Sequence, residues 1–589
     1  MNALRTAITI LLVLPGVFAA GRAAPAADPS TGFDPTAEAL KWIKSLKVQP
    51  GDWPQWGGSP YRNNTPAGKN IATDWDVATG RNIKWSASLG SETYGNPVIA
   101  NGKVYVGTNN GSGYLKRYPS TVDLGVLLCF DEKDGSFIWQ HSSEKLPTGR
   151  VHDWPNQGIC SAPLVDGDRL WYVTSRGEVV CLDTEGFRDG ENDGPFVDEK
   201  PQPKPGDKAA AATVWDEKHE ADVVWKLNMM SKLGVSQHNM CSCSVTAAGD
   251  TLFVNTSNGV DEAHINLPRP AAPTFVALNR TTGEVLWTDN SPGKNVLHGQ
   301  WSSPSYGIFG GVEQVLFAGG DGWLYSFDPH GENGKSKLLW KFDCNPKASL
   351  YVLGGRATRN HLIGTPLIYD GLVYIGVGED PEHGEGVGHL WCIDPTKRGD
   401  VSPTQVFNAK DPKTPIAHKR LQALVEKDGD FERPNPNSAA VWHYEGNDSI
   451  RDNPKGGKFE ATMHRTCGTA AIKNGLLYVA DFSGLVHCLD CKTGKAHWTH
   501  DMLAASWASP LIVEDHVYIS DEDGELTIFT LSEKKEIVAE IGMESAVYTT
   551  PVVANNVLFI ANRNKVFAIT PGAQSTPLKT KPVAAADGD

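Results

Sequence analysis

An all-β chain folded as an eight-bladed β-propeller, with four antiparallel strands per blade, is what three features of the sequence predict. The first is a recurring motif of small residue, any residue, Asp or Asn, a turn with Gly, then Trp. Cys129-Phe130-Asp131 leads through Gly135 to Trp139, Ala277-Leu278-Asn279 through Gly283 to Trp287, and Cys488-Leu489-Asp490 through Gly494 to Trp498. In all three, Gly stands four positions after Asp/Asn and Trp four positions after Gly. The second is a hairpin before each motif, such as Asn96–Ala100 and Lys103–Gly107 around Asn101-Gly102, a pair suited to a type I′ turn. The third is the spacing, roughly 40 to 50 residues per unit, which is that of a propeller blade. Each unit cannot bury its apolar face alone, so the units must stack.

In chain order, the first strands are expected to begin near Gly95, Ser161, Ser242, Ser302, Gly364, Gly468, Ala508 and Thr549. A third strand ends in the motif and a fourth carries the tryptophan: Trp139, Trp225, Trp287, Trp340, Trp442 and Trp498. Blade seven departs, because Leu531 to Val538 has neither the Gly turn nor the Trp. Blade eight stops after three strands at Val566–Ile569, while Asp76–Gly80 precedes Ile83-Lys84-Trp85 with no hairpin before it. This N-terminal strand is therefore expected to complete blade eight and close the ring, leaving no open sheet edges there.

Outside the repeat (76–572), residues 27–75 form an extension that is too aromatic for a linker, with Asp52-Trp53-Pro54-Gln55-Trp56 at its centre. It is expected to pack on the propeller, with a short helix over Thr36 to Lys47. Insertions fall at about 187–222, 397–438 and 446–463, and loops of this kind often carry function. Asp189 to Gly194 alternates carboxylates as calcium loops do, but Lys200 stands where an EF-hand needs Glu, so a solvated acidic turn is expected. Residues 573–589 are Pro/Ala/Lys-rich and read as a disordered tail.

Residues 1–26 read as a secretory signal: Arg5, the apolar run Ala7 to Val17, then small residues. The run is too short to span a membrane, and no later stretch reaches ~18 apolar residues. An exported, periplasmic or cell-envelope chain, soluble after cleavage and monomeric, is the expectation. A net charge of −15 argues against nucleic acid as a partner. Of the ten cysteines, Cys129, Cys181, Cys392 and Cys488 fill the motif slot that Ala277 and Ser326 fill elsewhere, so they read as packing residues. Cys241 and Cys243 are expected on one face of a first strand as free thiols, and Cys488 and Cys491 lack the following His of a haem attachment.

The Ala-x-Asp-x-x-Thr-Gly-x-x-x-Trp repeat resembles that of PQQ-like propellers, seen in quinoprotein alcohol dehydrogenases and in the outer-membrane protein assembly factor. The resemblance covers roughly residues 76–572. It implies either a binding or scaffold protein of the envelope, with a protein or peptide partner, or a dehydrogenase using pyrroloquinoline quinone with calcium. The catalytic pattern of the dehydrogenases is missing: no Cys-Cys pair exists for their vicinal disulfide, and their Glu/Asn/Asp calcium set does not map. The chain therefore reads first as a binding protein and second as a quinone- or metal-dependent oxidoreductase.

The segments leading into the first strands should meet at the mouth of the central channel. Gln157 comes from blade two, His238 and Asn239 from three, His298 and Gln300 from four, Arg359, Asn360 and His361 from five, His464 and Arg465 from six, and Trp507 from seven. Four histidines from successive blades, His238, His298, His361 and His464, are thus expected at one axial level. Histidine binds metals and arginine binds carboxylates, so the funnel suits a divalent metal or a small anionic ligand. A wet polar funnel without a ligand is the alternative.

Overall fold

The computed structural model describes residues 32–200, 215–345, 360–379, 387–419, 424–452 and 457–575. The expected signal segment, the core of the first insertion, Arg359 and most of the expected tail lie outside these residues. Eight sheets of four-stranded antiparallel type follow one another along the chain. Blade one is Val98–Ala100, Lys103–Asn109, Leu124–Asp131 and Phe137–Glu144, in that order across the sheet. Blade seven is Leu511–Val513, His516–Ser520, Glu525–Thr530 and Ile537–Gly542. In the last sheet, Val552–Ala554, Val557–Ala561 and Lys565–Gln574 are joined by Arg81–Ser88, with Trp85 opposite Ala568 and Ala87 opposite Val566. The strand Lys565–Gln574 reaches into the stretch read as tail, where Gln574 pairs with Arg81. The fifth blade carries Asn360–His361 as an extra strand on Leu372–Glu379, and the second insertion adds a hairpin, Thr404–Asn408 with Asp430–Pro434.

The motif has a physical explanation in the cross-strand pairs. The small slot of each third strand faces the tryptophan of the fourth: Cys129 with Trp139, Cys181 with Trp225, Ala277 with Trp287, Ser326 with Trp340, Cys392 with Trp442, Cys488 with Trp498, and Ala568 with Trp85. Blade seven reverses the sizes, with Ile528 opposite Ala539. This pair is smaller than an indole with its small partner, and Trp75 of the N-terminal extension shares the core with Ile528. The ten cysteines are all free thiols, and the four in this slot are buried. Cys241 and Cys243 are also buried, but they precede the strand Thr246–Ala248.

The motif also joins neighbouring blades. The motif Asp or Asn caps its own turn: Asn279 Oδ1 accepts the N–H groups of Thr281 and Thr282 at 2.9 and 3.0 Å. The glycine that follows lies against the indole of the preceding blade. A Cβ on Gly283 (φ +73°) would stand 2.6 Å from Trp225, and one on Gly494 (φ +69°) 2.6 Å from Trp442. The indole N–H then donates to the carbonyl just after the motif Asp or Asn. Trp139 donates to Thr184, Trp225 to Arg280, Trp287 to Pro329 and Trp442 to Cys491 at 2.9–3.2 Å, while Trp498 donates to Ser532 of blade seven, where no motif Asp or Asn precedes the acceptor, at 3.3 Å. Trp85 makes this bond to Glu132 of blade one at 2.9 Å, so the last sheet meets the first through the same contact. Blade four uses a relay: Trp340 donates to Gln314 Oε1, whose amide donates to Pro395. Beside blade seven, Trp75 from the N-terminal extension joins the core with Ile528, Met543 and Ile560, and its N–H meets Met543 Sδ at 3.2 Å.

The extension opens with a helix, Pro35–Ile43, capped by the Asp34 carboxylate. Residues Trp53 to Asn64 then pass under the ring and touch its blades in order. Trp53 pairs with Ile99, Pro54 accepts from Val165, Gln55 from Thr246, Pro60 from Tyr306 and Tyr61 from Ile368. Asn63 exchanges bonds with Ile472, Asn64 accepts from Ile512, and its amide reaches Pro510 and Pro551. Arg62 is fully buried beneath this crossing. Its guanidinium donates to the carbonyls of Trp56, Pro304, Ser244 and Val245 at 2.9–3.1 Å, and burial pulls its pKa down to about 9, still cationic at neutral pH.

Candidate functional site

Above this crossing lies a cavity of about 420 Å³ lined by residues that lead into the first strands of all eight blades. Trp56 of the extension lies on its wall, placed by the Arg62 bond to its carbonyl. A belt of hydrogen bonds runs around it from blade to blade. Ala162 N donates to Ser244 Oγ, Ser244 N to Ser303 Oγ, Thr365 N to Thr469 Oγ1, Thr469 N to Ser509 Oγ, and Ser509 N to Thr550 Oγ1, at 2.7–3.0 Å. Thr550 N donates to Asn96 Oδ1 at 2.6 Å, linking the last blade to the first. Each of these five hydroxyls is an acceptor in the belt, and among the described residues none of them donates to protein. A hydroxyl has one proton to give, so five O–H donors converge on the cavity.

Aromatic rings form its upper wall. Tyr94 and Tyr548 stack with centroids 4.5 Å apart, and Trp507 meets Tyr94 edge-on at 5.8 Å. Burial, with Tyr548 and Glu92 nearby, raises the Tyr94 pKa, so the phenol stays protonated. Trp154 is covered by the Arg150 guanidinium at 3.9 Å, and Trp301 donates to the His238 carbonyl at 3.2 Å. Among the described residues, no Asp, Glu, Lys or Arg lines the cavity.

The residues expected at the channel mouth divide into groups. Gln157, Asn239, His298 and Trp507 line the cavity. His238 and His361 stand behind His298, with ring centroids at 4.5 and 5.8 Å from it. Gln300 is structural: its amide donates to Asn258 at 2.7 Å, and its carbonyl accepts from Gly320. His464 is turned to Asp481, its Nδ1 3.0 Å from a carboxylate that also meets His487 Nε2 at 3.1 Å. Those two imidazoles hold the buried Asp481 carboxyl well below the usual range against the opposing effect of burial. Arg465 lies over the Phe482 ring at 4.4 Å. Asn360 is in the strand beside Glu379, and Arg359 is outside the described residues. The sequence reading missed His264, Trp301, the Ser/Thr belt and the stacked tyrosines. A lead-in alignment cannot show His264, because it lies on the loop between the second and third strands of blade three. The acidic turn near Asp189 gathers Asp183, Asp189 and Asp193, with Arg169 bridging Asp183 and Asp193 as their cation.

The fit to a quinone with calcium can be judged from these residues. Calcium takes hard oxygen ligands, carboxylates first, and pyrroloquinoline quinone is itself a tricarboxylate that calls for cations. The described lining offers no carboxylate, Lys or Arg, so it does not fit that pair.

Residues 432–538 match the family model of the outer membrane protein assembly factor BamB. No curated protein sequence matches the chain. Among solved structures, a europium-containing methanol dehydrogenase superposes with a TM-score of 0.51 at 10% identity, over 90% of this chain and 100% of that one. Quinohemoprotein alcohol dehydrogenase ADHIIG from Pseudomonas putida HK5 gives 0.50 at 10%, over 93% and 83%. BamB from Moraxella catarrhalis gives 0.45 at 13%, over 82% and 98%. At such identities the two dehydrogenases share the propeller fold with this chain, and the likeness extends no further.

Proposed function

We propose that this PQQ-like β-propeller is a binding protein whose central cup takes a small, flat, uncharged molecule bearing carbonyl or ether oxygens. The observation that carries the reading is the pairing of five convergent hydroxyl donors with a wall of Trp and Tyr, in a cavity whose described lining has no Asp, Glu, Lys or Arg. Stacking favours a planar ligand, and the O–H groups select for acceptors at its edge. Pocket size is that of a small-molecule site, mostly apolar with a few placed polar groups. The expected signal supports a setting in the cell envelope, and the lining disfavours the oxidoreductase reading.

Isothermal titration of the purified full chain tests this, with menadione as the neutral planar probe and pyrroloquinoline quinone as the anionic one. Menadione should bind, and Trp507→Ala should weaken it about 3–10-fold, the worth of one aromatic contact. Binding of the anionic quinone alone, or of neither probe, would overturn the proposal. A protein partner on the loops around the mouth is a second reading, favoured by the match of residues 432–538 to an assembly-factor family.

A further inference from the structure

We propose that His238, His264 and His298 form a three-histidine site for one borderline divalent metal ion of the zinc type, at the edge of the cup. The inference rests on the three rings and not on the ligand proposed for the cup, whose edge the ion would share through His298. The three rings make a nearly equilateral triangle: centroids are 4.9 Å apart for His238 and His264, 4.5 Å for His238 and His298, and 4.6 Å for His264 and His298. The interplanar angles are 64°, 57° and 68°, so the rings are inclined to each other as blades about a common axis. One nitrogen from each lies within 4.8 Å of the other two. The Nε2 atoms of His238 and His264 are 3.1 Å apart. Two ligands at ~2.0–2.1 Å from a tetrahedral zinc ion stand roughly 3.3 Å apart, close to this separation.

The surroundings prepare these rings as ligands. His238 Nδ1 donates to the Val260 carbonyl at 2.8 Å, which leaves the lone pair on Nε2, facing the other two rings. A backbone carbonyl on the far nitrogen is the usual way of orienting a metal-bound imidazole. The N–H of the same Val260 donates to the His298 carbonyl at 3.0 Å, so one residue fixes two of the three histidines relative to each other. His264 has a left-handed backbone, φ 57°, a conformation that costs a non-glycine residue about 1 kcal/mol or more. Asp261 holds that turn: Oδ1 accepts from Ile265 and Asn266 N–H at 3.0 and 3.2 Å, and Oδ2 from the Asn266 amide at 2.7 Å. The strained turn carries the third imidazole to the pair. Nitrogen ligands select zinc-type ions over calcium or magnesium. Three protein ligands leave a fourth position open, and His298 also lines the cup.

The test is a titration of EDTA-stripped full-length protein with Co²⁺, followed by Zn²⁺ as competitor. A second group, His389, His443 and Glu445, could also take the probe, so His443→Gln is carried alongside. Wild type and His443→Gln should each bind one Co²⁺ with the intense visible bands of a tetrahedral site, displaced by Zn²⁺. His264→Ala, on a loop and outside every sheet, should weaken the binding at least about 100-fold, as should His298→Ala. Retention of the bands in His264→Ala, their loss in His443→Gln, or the absence of such bands in wild type would overturn the proposal and leave a hydrogen bond between two histidines.

Discussion

The contact between the motif glycine and the neighbouring indole can be isolated by a double-mutant cycle on Gly283 and Trp225. Gly283 has φ +73°, and an added Cβ would stand 2.6 Å from Trp225 Cε3. Gly283→Ala therefore meets two costs: about 1–2 kcal/mol for an alanine in the left-handed region, and about 1–3 kcal/mol for overpacking. Trp225 is 4% exposed and its N–H donates to Arg280 at 3.2 Å, so Trp225→Ala should cost about 3–5 kcal/mol. With the indole gone, the alanine methyl has room and only the backbone cost remains. The double variant should thus be more stable than the sum of the singles by about 1–3 kcal/mol. Equilibrium urea unfolding, read on the same transition in all four proteins, measures this. Additivity within about 0.5 kcal/mol would show that the glycine serves its backbone angle alone. The same cycle on Gly135 and Trp85, where the added Cβ would be 2.5 Å from the ring, asks whether the last blade meets the first in solution as the others meet each other.

Arg62→Met should destabilise the chain by about 3–5 kcal/mol, because four buried carbonyls lose their donor; a urea midpoint near that of wild type would refute its role under the ring. Trp75→Ala should cost about 3–5 kcal/mol, as a blade tryptophan would, with faster hydrogen exchange in Glu525–Thr530; unchanged exchange there would detach Trp75 from blade seven. Stability should fall on acidification. Burial holds the His141 and His389 pKa values down to about 3, helped by Lys226 and Arg117 near the first and by His443 beside the second. In the unfolded chain both protonate near 6.5, so the unfolded state binds more protons between these values. Their contribution is complete above about pH 6.5 and is lost toward pH 3, by up to about 1.4 kcal/mol per pH unit for each. His141→Gln should flatten that slope in a pH series of urea melts, and an unchanged slope would refute the assignment.

The blades were legible because the motif encodes packing directly. Asn or Asp before Gly predicts a left-handed turn, and Asn101 and Gly102 adopt φ 51° and 77°. A small residue in the third strand is a record of the indole opposite it, as in Ala277 and Trp287. Blade seven shows the limit of reading a motif by residue type. Ile528 and Ala539 break both positions of the pattern, and only the register shows that they face each other. Trp53 to Asn64 was too aromatic for a linker, but its route was hidden, because the contacts of Trp53, Pro54, Pro60 and Tyr61 with the blades are made by backbone groups that every residue possesses.

The site was legible only where it follows the repeat. Lead-in residues fall at equivalent positions, so aligning the hairpins placed Gln157, Asn239, His298 and Trp507 around one axis, and all four line the cavity. Equivalence of position does not determine where a long side chain turns. His464 occupies the slot that His298 occupies in blade four, but Asp481 lies within 3.0 Å and draws its imidazole away from the axis. His264 belongs to no slot. It reaches His238 and His298 because the loop between Asn255 and Phe275 is long, and because Asp261 and Asn266 fold it back on itself. Blade seven joins the equivalent strands, His516–Ser520 and Glu525–Thr530, with a short turn, none of whose residues lines the cavity. In a ring of near-identical units, the distinguishing chemistry is therefore carried by the residues that break the repeat, and those are the ones a repeat-based alignment discards.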